Sequence, residues 1–257
     1  MAKARVNGIE IDYEVSGQGP VVLLSHGYGA TRHMWDDQHR ALADRWRVIS
    51  WDMPGHGQTE SPDDPQRYST AHTVADMRAL LEYVGVQRAV IGGLSLGGYV
   101  SLAFSLAHPD MVQALVICDS GPGYRNADAR AAWNQRAHAR AADLEARGLD
   151  ALGRRSRETQ QAVHRSAQGL AHAARGMLAQ EGSHVIDGLG SIRVPTLVIV
   201  GDQDQPFVAP SDYMAKKIAG ARLEVIPAAG HSSNLDQPET FNRVLRDFLL
   251  TLEARHG

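Results

Sequence analysis

Ala89-Val90-Ile91-Gly92-Gly93-Leu94-Ser95-Leu96-Gly97-Gly98 is the stretch that decides how this chain folds. Its opening residues are apolar or glycine, as in a short strand buried on both faces, and the residues after Ser95 run on as a helical pattern to Ala107. A serine with glycine two residues away on each side, set between a buried strand and a helix, implies a very sharp turn. Side chains at those two flanking positions would collide with neighbouring backbone, so glycine is required at both. The turn lifts the hydroxyl out of the sheet and places it at a helix N-terminus. Backbone N–H groups and the helix dipole there favour the negative charge that develops in acyl transfer. Ser95 is the candidate nucleophile.

Outward from this turn, short apolar runs alternate with longer helical patterns, which predicts a mostly parallel sheet wound with helices. Val21-Val22-Leu23-Leu24 reads as a strand buried on both faces, and Arg47–Trp51, Ala114–Ile117, Thr196–Val200 and Leu223–Ile226 read as further strands. Ile9–Val15 alternates apolar and polar residues, as a half-exposed strand near the sheet edge does. A helix is expected from Thr73 to Tyr83. From about Tyr124 to Asp187 no strand is legible. That segment is rich in alanine and carries ten arginines against seven acidic residues, so it is basic while the remainder is acidic. Trp133, Ala137, Ala141 and Leu144 share one helix face, and Val163, Ala167, Leu170, Ala174 and Met177 share another. The expected organisation is an α/β core of residues 1–123 and 188–257, with residues 124–187 as a helical lid inserted between two strands.

The bulk properties narrow the function. A hydrophobic fraction of 43% supports a sizeable core, and a net charge of −3 argues against a nucleic-acid or anionic-membrane partner. The single cysteine, Cys118, excludes an intramolecular disulfide framework. No apolar run approaches a membrane span, and the first residues lack the apolar core of a signal peptide, so a cytoplasmic protein is expected.

A serine hydroxyl needs a base to accept its proton and an acid to orient that base, and with this kind of turn the chain order is serine, acid, histidine. His231, on a glycine-led loop after the last strand, is the candidate base. The other histidines read mostly as surface residues, with His256 in the tail, and His26 as a residue that shapes its loop. Asp204 is the favoured acid because it lies far enough beyond its strand to turn toward His231. Asp202, better placed to support the turn, and Asp119, after the preceding strand, remain alternatives. The oxyanion donors are expected to be the backbone N–H groups of Leu96 and of Tyr28, which lies between two glycines in Ser25-His26-Gly27-Tyr28-Gly29. Trp35, Tyr124, Trp133 and Phe207 are the candidate substrate-binding side chains, with Met34 and Met177 as further apolar candidates. Arg125 or Arg136 is a candidate clamp for a substrate carboxylate. No histidine–aspartate cluster has metal-ligand spacing, and neither a metal nor a cofactor is expected.

With these sites placed, the chain resembles the α/β-hydrolase superfamily along essentially its whole length. Asp52-Met53-Pro54-Gly55-His56-Gly57 resembles the D-x-P-G-x-G turn of that superfamily, Leu106-Ala107-His108-Pro109-Asp110 its usual ending of the helix after the serine, and Gly230-His231 with Gln237-Pro238-Glu239 its base loop and final helix. Ser95 separates the chain from dehalogenases and epoxide hydrolases, which carry aspartate there. Gly93–Gly98 and Trp133-Asn134-Gln135-Arg136 look similar to enol-lactone hydrolases, although the lid departs from them downstream. The oxyanion loop lacks the extra glycines of carbon–carbon bond hydrolases. The resemblance implies a serine hydrolase that cleaves small, mainly apolar carboxylic esters or lactones through an acyl-enzyme. The alternatives are a carbon–carbon bond hydrolase, a thioesterase, or a non-catalytic ligand-binding protein on a hydrolase scaffold.

Overall fold

In the computed structural model, which describes residues 2–153 and 156–254, the chain begins with a hairpin. Asn7 and Gly8 both take positive φ, 49° and 83°, the geometry of the tight turn that suits the twist of two antiparallel strands. They join β1 (Ala2–Val6) to β2 (Ile9–Ser16) with Val6 opposite Ile9. β1 is absent from the sequence reading, although the Asn-Gly pair is a strong hairpin signal. The remaining strands lie where the apolar runs place them: β3 (Val21–Ser25), β4 (Arg47–Trp51), β5 (Ala89–Leu94), β6 (Val112–Cys118), β7 (Thr196–Gly201) and β8 (Arg222–Ile226). They form one eight-stranded sheet in the order β1-β2-β4-β3-β5-β6-β7-β8, antiparallel at the β1/β2 and β2/β4 pairs and parallel elsewhere. This is the α/β-hydrolase fold.

Period-two alternation splits the core into two faces. Leu23, Ile49, Ile91, Leu115, Ile117 and Val198 point to one side and Val22, Leu24, Val48, Val90, Val116 and Leu197 to the other. Helices cover both. Among them are α1 (Asp36–Leu42), α2 (Thr70–Tyr83), α3 (Leu96–Ala107), α4 (Ala127–Arg147), α5 (Arg157–Gln160), α6 (Ala167–Ala173), α7 (His184–Gly188), α8 (Gln205–Lys217), α9 (Ser233–Asp236) and α10 (Pro238–Glu253). Residues of α2 and α3 pack into the first face, and those of α1 and α10 into the second. Each large apolar side chain buried this way is worth about 1.5–3 kcal/mol of transfer free energy. α2 starts three residues earlier than the apolar pattern indicates because the Ser69 hydroxyl accepts from the His72 N–H and caps it.

Between β6 and β7 the described backbone carries helices and no strand. The Asn126 side chain caps the 21-residue α4, which ends at Gly148 in the left-handed region, φ 64°. Ala137, Ala141 and Leu144 bury one face of α4, and Leu170, Ala171 and Ala173 bury α6. Val163 does not join that second face. It lies in coil and is 71% exposed, because Ser166 accepts from the Gly169 N–H and starts α6 only at Ala167. His256 lies outside the described residues.

Because β3, β5, β6, β7 and β8 run parallel, their C-terminal ends share one edge of the sheet. Ser25 pairs with Gly93, Leu94 with Cys118, and Gly201 with Ile226. The loops that follow these strands are therefore gathered at one end, where open α/β sheets bind their ligands.

Candidate active site

Ser95 sits at φ 55° and ψ −115°, a strained conformation for a residue with a side chain. The surroundings impose it. The Ser95 N–H donates to the Cys118 carbonyl at 2.9 Å, and its own carbonyl accepts from the Ser120 hydroxyl at 2.7 Å and the Tyr99 N–H at 3.0 Å. A Cβ on Gly97 would run into the Ser25 carbonyl, and one on Gly93 into the backbone of Gly97. The two glycines are needed for close approach between β3, β5 and the start of α3.

The loop after β3 lies beside this turn, and its framework is a set of buried histidines. The His26 Nδ1–H donates to the Gly27 carbonyl at 2.7 Å, and Nε2 accepts from the Met53 N–H at 3.0 Å. Burial outweighs the nearby Asp52 charge and pushes the His26 pKa down to about 4, so the ring is neutral. His164 bridges two loops, accepting the Gly57 N–H at 2.9 Å and donating to the Gly29 carbonyl at 3.0 Å. His56 lies between the two, its ring centroid 4.8 Å from that of His26 and 6.0 Å from that of His164. His39, His56 and His164 are therefore buried rather than at the surface. Hydroxyl or backbone groups satisfy both ring nitrogens of His39 and His164, and His56 Nδ1 bonds the Pro54 carbonyl at 3.2 Å while its Nε2 has no partner among the described residues. Among the described residues, the backbone N–H groups of Tyr28 and Leu96 have no protein acceptor. The Tyr28 side chain is anchored by its hydroxyl, which donates to the Leu170 carbonyl at 2.8 Å.

His231 Nδ1–H donates to Asp204 Oδ2 at 2.8 Å. That contact leaves Nε2 as the free lone pair of the ring. Asp204 is the residue just before α8 and is buried, and Phe207, one turn on, stacks on the imidazole with centroids 4.9 Å apart. Burial opposes charging His231, but the hydrogen bond and charge of Asp204, joined by Asp119 and Glu158, raise its pKa above the usual histidine value. The other two aspartates are engaged elsewhere. Asp119 accepts from the Gly201 N–H at 2.8 Å and from the Ser233 N–H at 3.2 Å and hydroxyl at 2.5 Å, and burial drives its pKa up to about 7. Asp202 accepts from the Ala229 N–H at 3.3 Å.

Ser95 stands at the junction of two chambers. A cavity of about 580 Å³ is lined by Ser95, His231, Tyr28, Trp133 and Phe207 together with Arg136, Arg140 and Glu158. A smaller one of about 120 Å³ is lined by Ser95, Leu96, Tyr124, Trp133 and Phe207 with Arg136 and prolines 122, 206 and 210. Trp35 is in neither lining. It is fully buried on the second face of the sheet against Phe241, ring centroids 6.2 Å apart. Met34 and Met177 are likewise core residues. Arg125 is paired with Asp187 at 2.6 Å, which removes it as a clamp. Arg136 lines both chambers, and Arg140, one helical turn along α4, lies over the Tyr28 ring at 5.3 Å. Among the described residues neither arginine has a carboxylate partner.

Ser120, Arg140 and Glu158 are site-lining residues that the sequence reading does not reach. Ser120 directly follows Asp119 at a strand end, which is a usable signal, whereas Arg140 and Glu158 look like ordinary solvated helix residues. The structure also gathers Glu14, His33 and Asp36, from separate segments, within 4.8 Å. Glu14 pairs with Arg32 at 2.5 Å, and His33 Nδ1 lies 3.4 Å from Asp36 Oδ1.

A family model described as "Alpha/beta hydrolase family" matches residues 21–244. The chain is 26% identical to a putative 2-succinyl-6-hydroxy-2,4-cyclohexadiene-1-carboxylate synthase of Bacillus subtilis (strain 168), over 94% of this chain and 96% of that one. It superposes on the enol-lactonase from Burkholderia xenovorans LB400 with a TM-score of 0.80 and 28% identity, covering 97% of this chain and 100% of the other. A thermophilic esterase from Thermogutta terrifontis, solved with malate bound, gives a TM-score of 0.85 and 28% identity over 98% of both chains.

Proposed function

The chain belongs to the alpha/beta hydrolase family, and on that premise we propose that it hydrolyses carboxylic esters or lactones through an acyl-enzyme on Ser95. The observation that carries this reading is the Asp204–His231 hydrogen bond of 2.8 Å, made at the wall of the cavity that Ser95 also lines. His231 Nε2 takes the Ser95 proton as Oγ attacks the carbonyl carbon, and Asp204 holds the ring in the required tautomer. The oxyanion forms against the N–H groups of Tyr28 and Leu96. Collapse expels the alcohol, protonated by His231, and water then attacks the acyl-enzyme with the same base. Residues 124–187 act as a cap over a core of residues 1–123 and 188–257.

The two chambers suggest a substrate with unequal ends. A small apolar group fits the 120 Å³ chamber, and the larger one, with Arg136 and Arg140 free of carboxylate partners, suits a carboxylate. The malate in the similar esterase and the carboxylate in the name of the Bacillus protein favour that choice. The protein acts in this reading on a small molecule in the cytoplasm, with no nucleic-acid or membrane partner. Among the described residues no helix is long and apolar enough to cross a membrane.

A fluorophosphonate should label Ser95 stoichiometrically, and matched esters and lactones with and without a terminal carboxylate should be hydrolysed. Absence of both labelling and turnover would leave a ligand-binding protein. A second reading draws on the likeness to a protein named as a synthase. In it the same base abstracts a proton from a carboxylate-bearing substrate, and labelling of Ser95 without any ester or lactone turnover would favour it.

A further inference from the structure

Glu158 is a buried carboxylate at the edge of the reactive centre. It stands on the four-residue helix α5, is only 7% exposed, and lines the larger chamber with Ser95 and His231. Its Oε2 accepts from the hydroxyl of Ser232, the residue next to His231. The segment around it is pinned to the same loop. Arg157 Nη1 donates to the Leu235 carbonyl at 2.9 Å, and its Nε lies 3.4 Å from Asp236 Oδ1. On its other side the segment meets the loop after β3, where a Cβ on Gly29 would touch Leu152 and Thr159 and where His164 donates to the Gly29 carbonyl. One stretch of the cap thus rests on both the loop of the base and the loop of the expected oxyanion donor.

A carboxylate withdrawn from water costs several kcal/mol unless something compensates it, and a neutral hydroxyl compensates it only in part. The cation that forms in the same chamber during the reaction is the imidazolium made when His231 accepts the Ser95 proton, while Arg136 and Arg140 stand on the wall of α4. We propose that Glu158 is a positioning residue of the base, a third carboxylate, brought to His231 by the cap, that stabilises its protonated form. The proposal rests on His231 acting as the base in the reading above. It makes the strength of the base depend on cap docking, because Asp204 and Asp119 belong to the core whereas Glu158 arrives with α5.

The other charges facing His231 set the size of the effect. Asp204 precedes α8 and Asp119 ends β6, and both act in the same direction as Glu158. Arg136, Arg140 and Asp143 of α4 line the opposite wall of the same chamber, and Asp236 of α9 is engaged by Arg157. Removing one of three carboxylates should lower the His231 pKa without abolishing its rise.

Glu158→Gln keeps an acceptor for the Ser232 hydroxyl and deletes only the charge. Two readouts apply: the acid limb of kcat/KM against pH, and the NMR titration of the His231 ring, which needs no substrate. Both midpoints should move to lower pH by about half a unit or more, the direction expected when an opposite charge is withdrawn from an imidazolium. With that shift kcat should fall about three- to tenfold, the factor that half a unit to one unit of pKa is worth, and KM should stay within about twofold, as for an interaction made only in the transition state. Glu158→Ser, small enough for α5 to dock, should move the midpoints the same way and serves if the glutamine variant does not fold. An unmoved ring titration in the variants overturns the proposal, whatever happens to kcat. Failure of the hydrolase reading shows separately, as a wild-type chain that neither takes fluorophosphonate nor turns over esters, while the ring titration still tests Glu158.

Discussion

The two walls of the larger chamber are built by different means. The strand-end wall carries Ser95, Tyr28 and His231, and each is held by backbone commitments: a strained turn wedged between β3 and β6, a loop propped on neutral histidines, and an imidazole bonded to Asp204. The α4–α5 wall carries Arg136, Arg140 and Glu158, whose placement depends on which way a helix turns. The first wall tolerates little change without rearranging the sheet, and the second can be altered at the exposed side chains of Arg136 and Arg140. In the proposed reading, the reacting groups stand on the first wall and the arginines that would select substrate on the second, with Glu158 the one link between them.

The sharpest way to break this division is at the acid. Asp204→Asn should lower kcat by roughly 10³–10⁴, since it spoils the tautomer while leaving the geometry in place. Asp119→Asn, which alters a buried brace between β7 and α9, should keep kcat within about tenfold and show its cost as an earlier denaturant midpoint. The reverse ranking in steady-state kinetics would move the acid to the end of β6. A smaller effect should distinguish the opposite wall. Replacing Arg136 and Arg140 together by alanine should raise KM about tenfold for an ester bearing a carboxylate and leave an uncharged ester of equal size unchanged. Equal losses for both esters would mean that the arginines only support the cap.

The same contrast explains how much of the molecule was legible in the sequence. Val21–Leu24, Ala89–Gly92 and Thr196–Val200 announce themselves because a strand buried on both faces has to be continuously apolar. Gly93 and Gly97 announce the turn because no other residue fits there. Trp35 is not a pocket residue, because nearness in sequence to the loop after β3 says nothing about which face of the sheet a side chain enters. Its short helix, Arg32–Trp35, directs the indole toward Phe241. Arg125 and Arg136 were equal candidates in sequence, and only the position of Asp187 separates them. Glu158 left no signal because its burial depends on Ser232, seventy-four residues away.

The backbone of Ser95 has a consequence for the descent of this chain. A non-glycine residue held at φ 55° and ψ −115° costs on the order of 1–3 kcal/mol. A glycine in its place would relieve that cost in one step while ending the chemistry. A Ser95→Gly chain that melts above its parent would register the difference directly. If Ser95 is the nucleophile, stability and reactivity therefore oppose each other at this position, and only glycine, which removes the Cβ along with the hydroxyl, relieves the strain.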